Sequence, residues 1–292
     1  MGIFLFILMN VAVMASIYLT IFLIELFFGI RVDSQTTGGL LVLSAVIGFS
    51  GALISLFLSK WMAKMQMGVE IIHNPQSKEE IWLVKSVKKL TEEAGIGMPE
   101  VGIFNGPPNA FATGWNRDDA LVAVSTSMFD IMSFEEIEGV LAHEISHIKH
   151  GDMITMTLLQ GVLNTFVFFL SRLIANLVAP KNENGNTSPF AYMAISFALE
   201  MVLTIFATML AMWFSRYREY KADAGAVKLD GPQGIYNALR TLGQLPKEQV
   251  ALPSDVKAFG IVGFADLFAS HPPIERRLEN IEKVAYELGY RA

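Results

Sequence analysis

Residues 133–151 read SFEEIEGVLAHEISHIKHG, and no other stretch restricts the protein as much. Ser133, followed three residues later by Glu136, forms a capping-box pattern: the serine is the N-cap and the glutamate reaches back from the third helical position. Ile137, Val140, Leu141 and Ile145 then recur at helical spacing. A helix is therefore predicted here, with Gly151-Asp152 loosening or turning the chain after it. On that helix His143 and His147 lie one turn apart on one face, so both rings reach a single zinc ion. Glu144, beside the first histidine, is placed to take a proton from a water activated by the metal, which is the chemistry of a zinc hydrolase.

Zinc needs a third protein ligand, and a catalytic site leaves the fourth position to water. His150 is three residues beyond His147, but seven residues separate it from His143. That is about 10 Å along an unbroken helix, too far for the three to share one ion. His150 is read as a solvated neighbour. The stronger candidate lies in Arg216-Tyr217-Arg218-Glu219-Tyr220-Lys221-Ala222-Asp223. Glu219 and Asp223 are four apart on a predicted helix and face the same way. One can bind metal while the other hydrogen-bonds a ligand histidine and fixes its tautomer. Taken alone, the segment would better suit an exposed charged helix with i, i+4 pairs, and the HExxH motif reverses that preference.

The chain has 292 residues, no cysteine and 52% hydrophobic residues, and its apolar residues are clustered. Residues 1–24 and 34–59 carry no charge, and each is long enough to span a bilayer as a helix. Residues 153–179 form a third run interrupted by Arg172, and residues 189–214 a fourth interrupted by Glu200. The first run lacks a basic n-region and a small-residue cleavage site, so it reads as an uncleaved anchor rather than a signal peptide. Lysine and arginine are sparse in the two short hairpins, which hold only Arg31 and Lys181. They gather after the second and fourth spans (Lys60, Lys64, Lys78, Lys85; Arg216, Arg218, Lys221). By the positive-inside rule both termini and the HExxH helix are expected in the cytoplasm. His147 precedes the third span by about six residues and Glu219 follows the fourth by about five. If those spans are helices that extend into the ligand segments, both stand roughly 8 Å above the membrane. An antiparallel hairpin would bring them side by side, a check on Glu219 that the motif did not supply. Arg172 and Glu200 fall at comparable depth, so they either pair across the hairpin or Arg172 snorkels to the surface. The net charge of −6 shows no basic face for nucleic acid.

Between the hairpins, residues 78–93 read as an amphipathic helix with Ile81, Val84, Val87 and Leu90 on one face. Residues 101–104 and 121–125 read as short strands. Between those strands, Gly106-Pro107-Pro108 marks a loop, and residues 109–113 suit either an edge strand open to an extended peptide or an ordinary hairpin strand. Residues 232–242 and 273–288 are predicted helices. Pro272 biases His271 toward an extended backbone, which lets its side chain point into a cleft. Residues 182–188 are the expected outer turn.

HEISH with Gly151-Asp152, Arg-x-x-Glu-x-x-x-Asp at 216–223, Asn-Ala-Phe-Ala at 109–112 and His-Pro-Pro at 271–273 together resemble the HtpX membrane zinc metalloproteases, relatives of the CAAX prenyl endopeptidases. The likeness runs over essentially the whole chain. It implies a mainly helical α+β fold in which multi-pass membrane helices carry a cytoplasmic gluzincin-like domain with a small β-sheet. It also implies one zinc ion per chain held by His143, His147 and Glu219, with Glu144 as the base and Asp223 supporting a histidine. Asn109, Ala110, Phe111 and His271 are implied to lie near a bound peptide, His271 donating to the tetrahedral oxyanion. The implied role is cleavage of damaged membrane proteins in stress-linked quality control at the bacterial inner membrane. The prenyl-processing relatives have more spans, so their substrate transfers poorly.

The expected organisation is a membrane hairpin at 1–60, the first part of the catalytic domain at 61–152, a second hairpin at 153–215 and the second part at 216–292. Two other functions compete. One is a zinc-braced membrane scaffold or chaperone without catalysis, which has no need of Glu144. The other is a transporter using Arg172 and Glu200, which leaves the strongest motifs unused. Oligomeric state and substrate identity are not encoded in any motif.

Overall fold

The computed structural model describes residues 2–29, 32–33, 36–180, 187–244 and 271–290. It is mainly helical with one small sheet, and it divides into two compact units, each built from two separate stretches of chain.

The first unit comprises Met1–Leu56 and Met156–Ala211. It draws on four helices: α1 (Gly2–Phe28), α2 (Thr37–Met67), α6 (Asp152–Val178) and α7 (Pro189–Asp230), each long and apolar enough to cross a membrane. Large apolar side chains such as Phe22, Phe166, Phe197 and Phe206 are exposed along them, as helices in lipid require. Several hydroxyls are satisfied within their own helices: Ser44 donates to the Leu40 carbonyl at 2.6 Å, Ser50 to that of Val46 at 2.6 Å and Thr165 to that of Gly161 at 2.7 Å. Hydrocarbon offers them no other partner. Arg172 and Glu200 form an ion pair between α6 and α7, and the guanidinium also sits 3.2 Å over the Phe168 ring. Pairing is thus the arrangement adopted, rather than snorkelling. Arg31, Lys181 and most of the outer turn expected at 182–188 lie outside the described residues.

The second unit comprises Phe57–Thr155 and Met212–Ala292. Its sheet has the order β1-β2-β4-β3, from β1 (Glu70–Ile71), β2 (Glu100–Phe104), β3 (Ala110–Asn116) and β4 (Asp119–Ser125). β2 and β4 are parallel, and the other pairs are antiparallel. β3 is both the hairpin partner of β4 and an edge strand, so the two sequence readings of this segment coincide. Helices α3 (Lys78–Ala94), α4 (Met128–Ile131), α5 (Phe134–His150), α8 (Pro232–Gln244) and α9 (Ile274–Glu287) complete the unit. The capping box expected at Ser133 and Glu136 is formed, and a second at Ser77 and Glu80 starts α3. Each serine cap is worth roughly 1 kcal/mol.

One core joins these elements: Leu83, Val87 and Leu90 of α3, Val122 and Val124 of β4, Ile137, Leu141, Ile145 and Ile148 of α5, Ile235 and Leu239 of α8, and Ile281 of α9. The α3 face differs from the sequence reading. Ile81 is 52% exposed, while Leu83 is fully buried in its place. Apolar residues stand at both positions, and the core took the stripe 83, 87, 90, 94 at regular i, i+3/i+4 steps.

Candidate metal centre

The central residues of α5 are pinned on its apolar side by Ile137, Leu141, Ile145 and Ile148, all fully buried. That anchoring fixes the rotation of the helix about its axis. His143 and His147 consequently point the same way, with ring centroids 4.7 Å apart. Their Nε2 atoms are 3.1 Å apart. Glu219, in the extension of α7 beyond its apolar run, lies across from them, with Oε1 3.3 Å from His147 Nε2 and Oε2 3.5 Å from His143 Nε2.

These spacings test the site for a metal directly. Ligands about 2.0–2.1 Å from a tetrahedral zinc ion are roughly 3.3 Å from one another. The three separations, 3.1, 3.3 and 3.5 Å with the last two to different oxygens of Glu219, bracket that value, and one ligand atom from each residue lies within 4.8 Å of the others. The donor set agrees. Nδ1 of His143 is 2.9 Å from Asp223 Oδ1, and Nδ1 of His147 is 2.5 Å from Asp152 Oδ2. With Nδ1–H donating to a carboxylate in both rings, each Nε2 presents a lone pair. Two lone pairs and a carboxylate then converge on one point, an arrangement that only positive charge relieves.

The electrostatics express the same demand. Burial disfavours a charged His147, but the Asp152 and Glu219 carboxylates outweigh it and push its pKa up to about 10. His143 is shifted upward too: burial opposes its charge, and Asp223 and Glu219 overcome that. With a proton on each Nε2 where a metal would otherwise supply the positive charge, Glu219 is held well below the usual carboxylate range, because hydrogen bonds from His143, His147 and His271 outweigh its burial. Asp223 is lowered in the same way by His143 and Arg277 against its burial.

Glu144 stands beside the centre, its Oε2 accepting from the Ala112 backbone N–H at 2.9 Å. In β3 the registered pairs are Ala110 with Val124, Phe111 with Ala123 and Ala112 with Val122. The Ala112 N–H is therefore directed to the open side of the strand, away from β4. Asn109 lies just before the strand, held at both main-chain groups: its N–H donates to Ser125 Oγ at 2.9 Å and its carbonyl accepts from Ser125 N–H at 2.8 Å. His271 is 65% exposed at its side chain, and its Nδ1 lies 2.8 Å from Glu219 Oε2. It thus reaches the carboxylate of the centre from its exposed side. His150 is exposed and outside the cluster, its Nδ1 3.3 Å from Ser146 Oγ.

Two residues of the centre escaped the sequence reading. Asp152 looked like part of a chain turn. Gly151, at φ +67°, does end α5 in the left-handed conformation, and this turn swings the first residue of α6 back against His147. Arg218 binds the same residue, donating to the Asp152 carbonyl at 2.9 Å. Arg277, 8% exposed, clamps Asp223 through Nε to Oδ2 at 2.9 Å and Nη2 to Oδ1 at 2.6 Å, with Nη1 3.7 Å from Glu219 Oε2. A signal existed for each: an acid directly after the helix-ending glycine, and an arginine in the first two turns of a helix that follows His-Pro-Pro.

The sequence profile of peptidase family M48 matches residues 77–285. Protease HtpX of Tolumonas auensis is 46% identical over 289 residues, covering 96% of this chain and 98% of the relative. Protease HtpX of Shewanella baltica is 49% identical over 287 residues, covering 94% and 97%. Among solved structures, the crystal structure of S. mikatae Ste24p superposes with a TM-score of 0.62 at 19% identity, covering 92% of this chain and 67% of that one, a likeness of fold. With residues 77–285 matched by the family profile and 94–96% of its length by the HtpX relatives, the chain belongs to peptidase family M48 and, within it, to the HtpX-type membrane zinc metalloproteases.

Proposed function

We propose that this membrane metalloprotease is an endopeptidase of the bacterial inner membrane that cleaves misfolded or damaged membrane proteins, with its catalytic unit and both termini in the cytoplasm. His143, His147 and Glu219 are its metal ligands, one zinc ion per chain. The observation that carries the proposal is the convergence of two Nε2 lone pairs and one carboxylate at tetrahedral spacing, each imidazole oriented by its own acid. The same reading divides the chain into a membrane hairpin at 1–60, the first part of the catalytic domain at 61–152, a second membrane hairpin at 153–215 and the second part of the catalytic domain at 216–292.

A zinc ion held there supplies a Lewis acid for the scissile carbonyl and brings the pKa of a water to about 7. Glu144 accepts the proton of the attacking water and passes it to the leaving amine. Its hydrogen bond to Ala112 keeps the carboxylate beside the strand where a peptide would lie. An extended substrate pairing with the open side of β3 uses that same N–H, which frees Glu144 for proton transfer. Asn109, Ala110 and Phe111 form the start of this docking strand. His271, at the rim of Glu219, donates to the oxyanion as it develops. Asp223 and Asp152 hold the two imidazoles in the tautomer that leaves Nε2 free.

The positive-inside distribution of Lys60, Lys64, Arg216 and Arg218 supports the cytoplasmic placement. A zinc-braced scaffold is separated from an enzyme by one residue. Glu144→Gln is expected to keep one zinc per chain by metal analysis and lower kcat on an unfolded membrane substrate by about 10²–10⁴-fold. Full cleavage by that variant would remove the mechanism.

A further inference from the structure

We propose that the cleft between α5 and α7, on the flank of α5 opposite Glu144, binds a phosphate-bearing anion. The cavity is about 410 Å³, within the range of small-ligand sites, and nothing in the peptidase mechanism uses it. Its lining comes from two facing helical stripes. Ser146, Lys149 and His150 stand at i, i+3 and i+4 on α5; Lys221, Ala224, Gly225 and Lys228 stand at i, i+3, i+4 and i+7 on α7. A Cβ at Gly225 would lie 1.9 Å from Ser146 Oγ, so the helices touch there and the floor is made of small residues. The lysines rise around that floor.

Charge makes the cleft selective. Three ammonium groups line it against one carboxylate, Glu93. The chain as a whole is acidic, with a net charge of −6, and neighbouring cations are neutralised: Lys89 pairs with Glu138 at 2.9 Å and Asp230 at 3.6 Å. Lys149 and Lys228 have no such pair among the described residues, and Lys221 rests 4.7 Å over the Tyr217 ring. An ammonium is a compact charge with three donors. A free phosphate or monoester, with near-double charge and at least three acceptor oxygens, satisfies three of them, and a diester lipid headgroup brings one charge and two unbridged oxygens.

The source of the phosphate is either a lipid headgroup or a soluble phosphate compound, and the experiment separates them. The full chain in uncharged maltoside detergent is titrated with inorganic phosphate and followed by ³¹P line broadening. In parallel, retention of dioleoylphosphatidylglycerol over dioleoylphosphatidylcholine is read by native mass spectrometry. Saturable phosphate broadening is expected. Preference for the glycerol lipid assigns a headgroup, and phosphate binding without that preference assigns a soluble ligand. The triple variant Lys149→Gln, Lys221→Gln, Lys228→Gln is expected to weaken binding at least tenfold. Ala224→Leu, which fills the cleft and leaves its charge unchanged, is expected to do the same, while Lys→Arg at all three positions keeps binding and controls for folding. Failure of the wild-type chain to bind either probe overturns the proposal. So does undiminished binding by the glutamine variant, which would place the anion at the metal, or by Ala224→Leu, which would place it outside the cleft.

Discussion

Asp152 Oδ2 lies 2.5 Å from Nδ1 of His147, so the first residue of α6 orients an imidazole on the last turn of α5. Partners of this kind set ring orientation and basicity, and their loss typically lowers metal affinity 10–100-fold. Asp152→Ala is expected to weaken zinc binding by about that factor in chelator competition, with helical content by circular dichroism unchanged. Asp152→Asn, which still accepts the hydrogen bond, is expected to retain most of the affinity. Equal loss in both variants would show that the negative charge matters and the hydrogen bond does not.

Ala112 offers its N–H on the open side of β3, where Glu144 now takes it. Proline is tolerated on edge strands when the missing donor faces outward. Ala112→Pro is therefore expected to fold and to keep zinc, but to lower kcat/KM by about tenfold, the worth of roughly one main-chain hydrogen bond. Steady-state cleavage of an unstructured peptide checks this, and unchanged kinetics would exclude strand pairing at that N–H.

Burial, and next the Glu138 carboxylate, push the Asp230 carboxyl from an ordinary 3.8 up to about 6, in spite of Lys89. The folded pKa is above the unfolded one. The protonated acid thus favours the fold below about pH 4, and that contribution is lost as pH rises through 6. Asp230→Asn is expected to raise stability by about 1–2 kcal/mol at pH 7–8, with the gain disappearing toward pH 4. Thermal melts across that range measure it; a gain independent of pH would contradict the assignment.

Arg172 and Glu200 pair within the apolar helices. Reversing either charge leaves two like charges in a poorly solvated place, at a cost of roughly 2–3 kcal/mol. The double reversal Arg172→Glu with Glu200→Arg is expected to recover most of the detergent melting temperature lost by either single change. Additive losses would mean that the pair contributes nothing as a pair.

The parts of the site that were legible in sequence were those written locally. The Ser133 capping box and the period of Ile137, Leu141 and Ile145 define α5 without outside help, and two histidines four apart on a helix share a face. Glu219 became legible through topology, since two apolar runs place its segment opposite His147. Asp152 and Arg277 were hidden because a charged residue is by default a surface residue, and only the fold buries it against a specific partner. Ile81 shows the complementary limit. A helical period fixes how often apolar residues recur, but with Leu83 also available it does not fix the phase, which the packing of α5 against α3 decided.

The free margin of β3 carries one last implication for the proposed substrate role. A strand margin recognises the amide backbone, which all polypeptides share, so it sorts candidates by conformation and hardly by residue type. Well-packed helices have spent their amides internally and offer it nothing; lengths of chain that have lost their structure present the full ladder. A protease reading its clients this way needs no consensus sequence and discriminates through the disorder of what it meets.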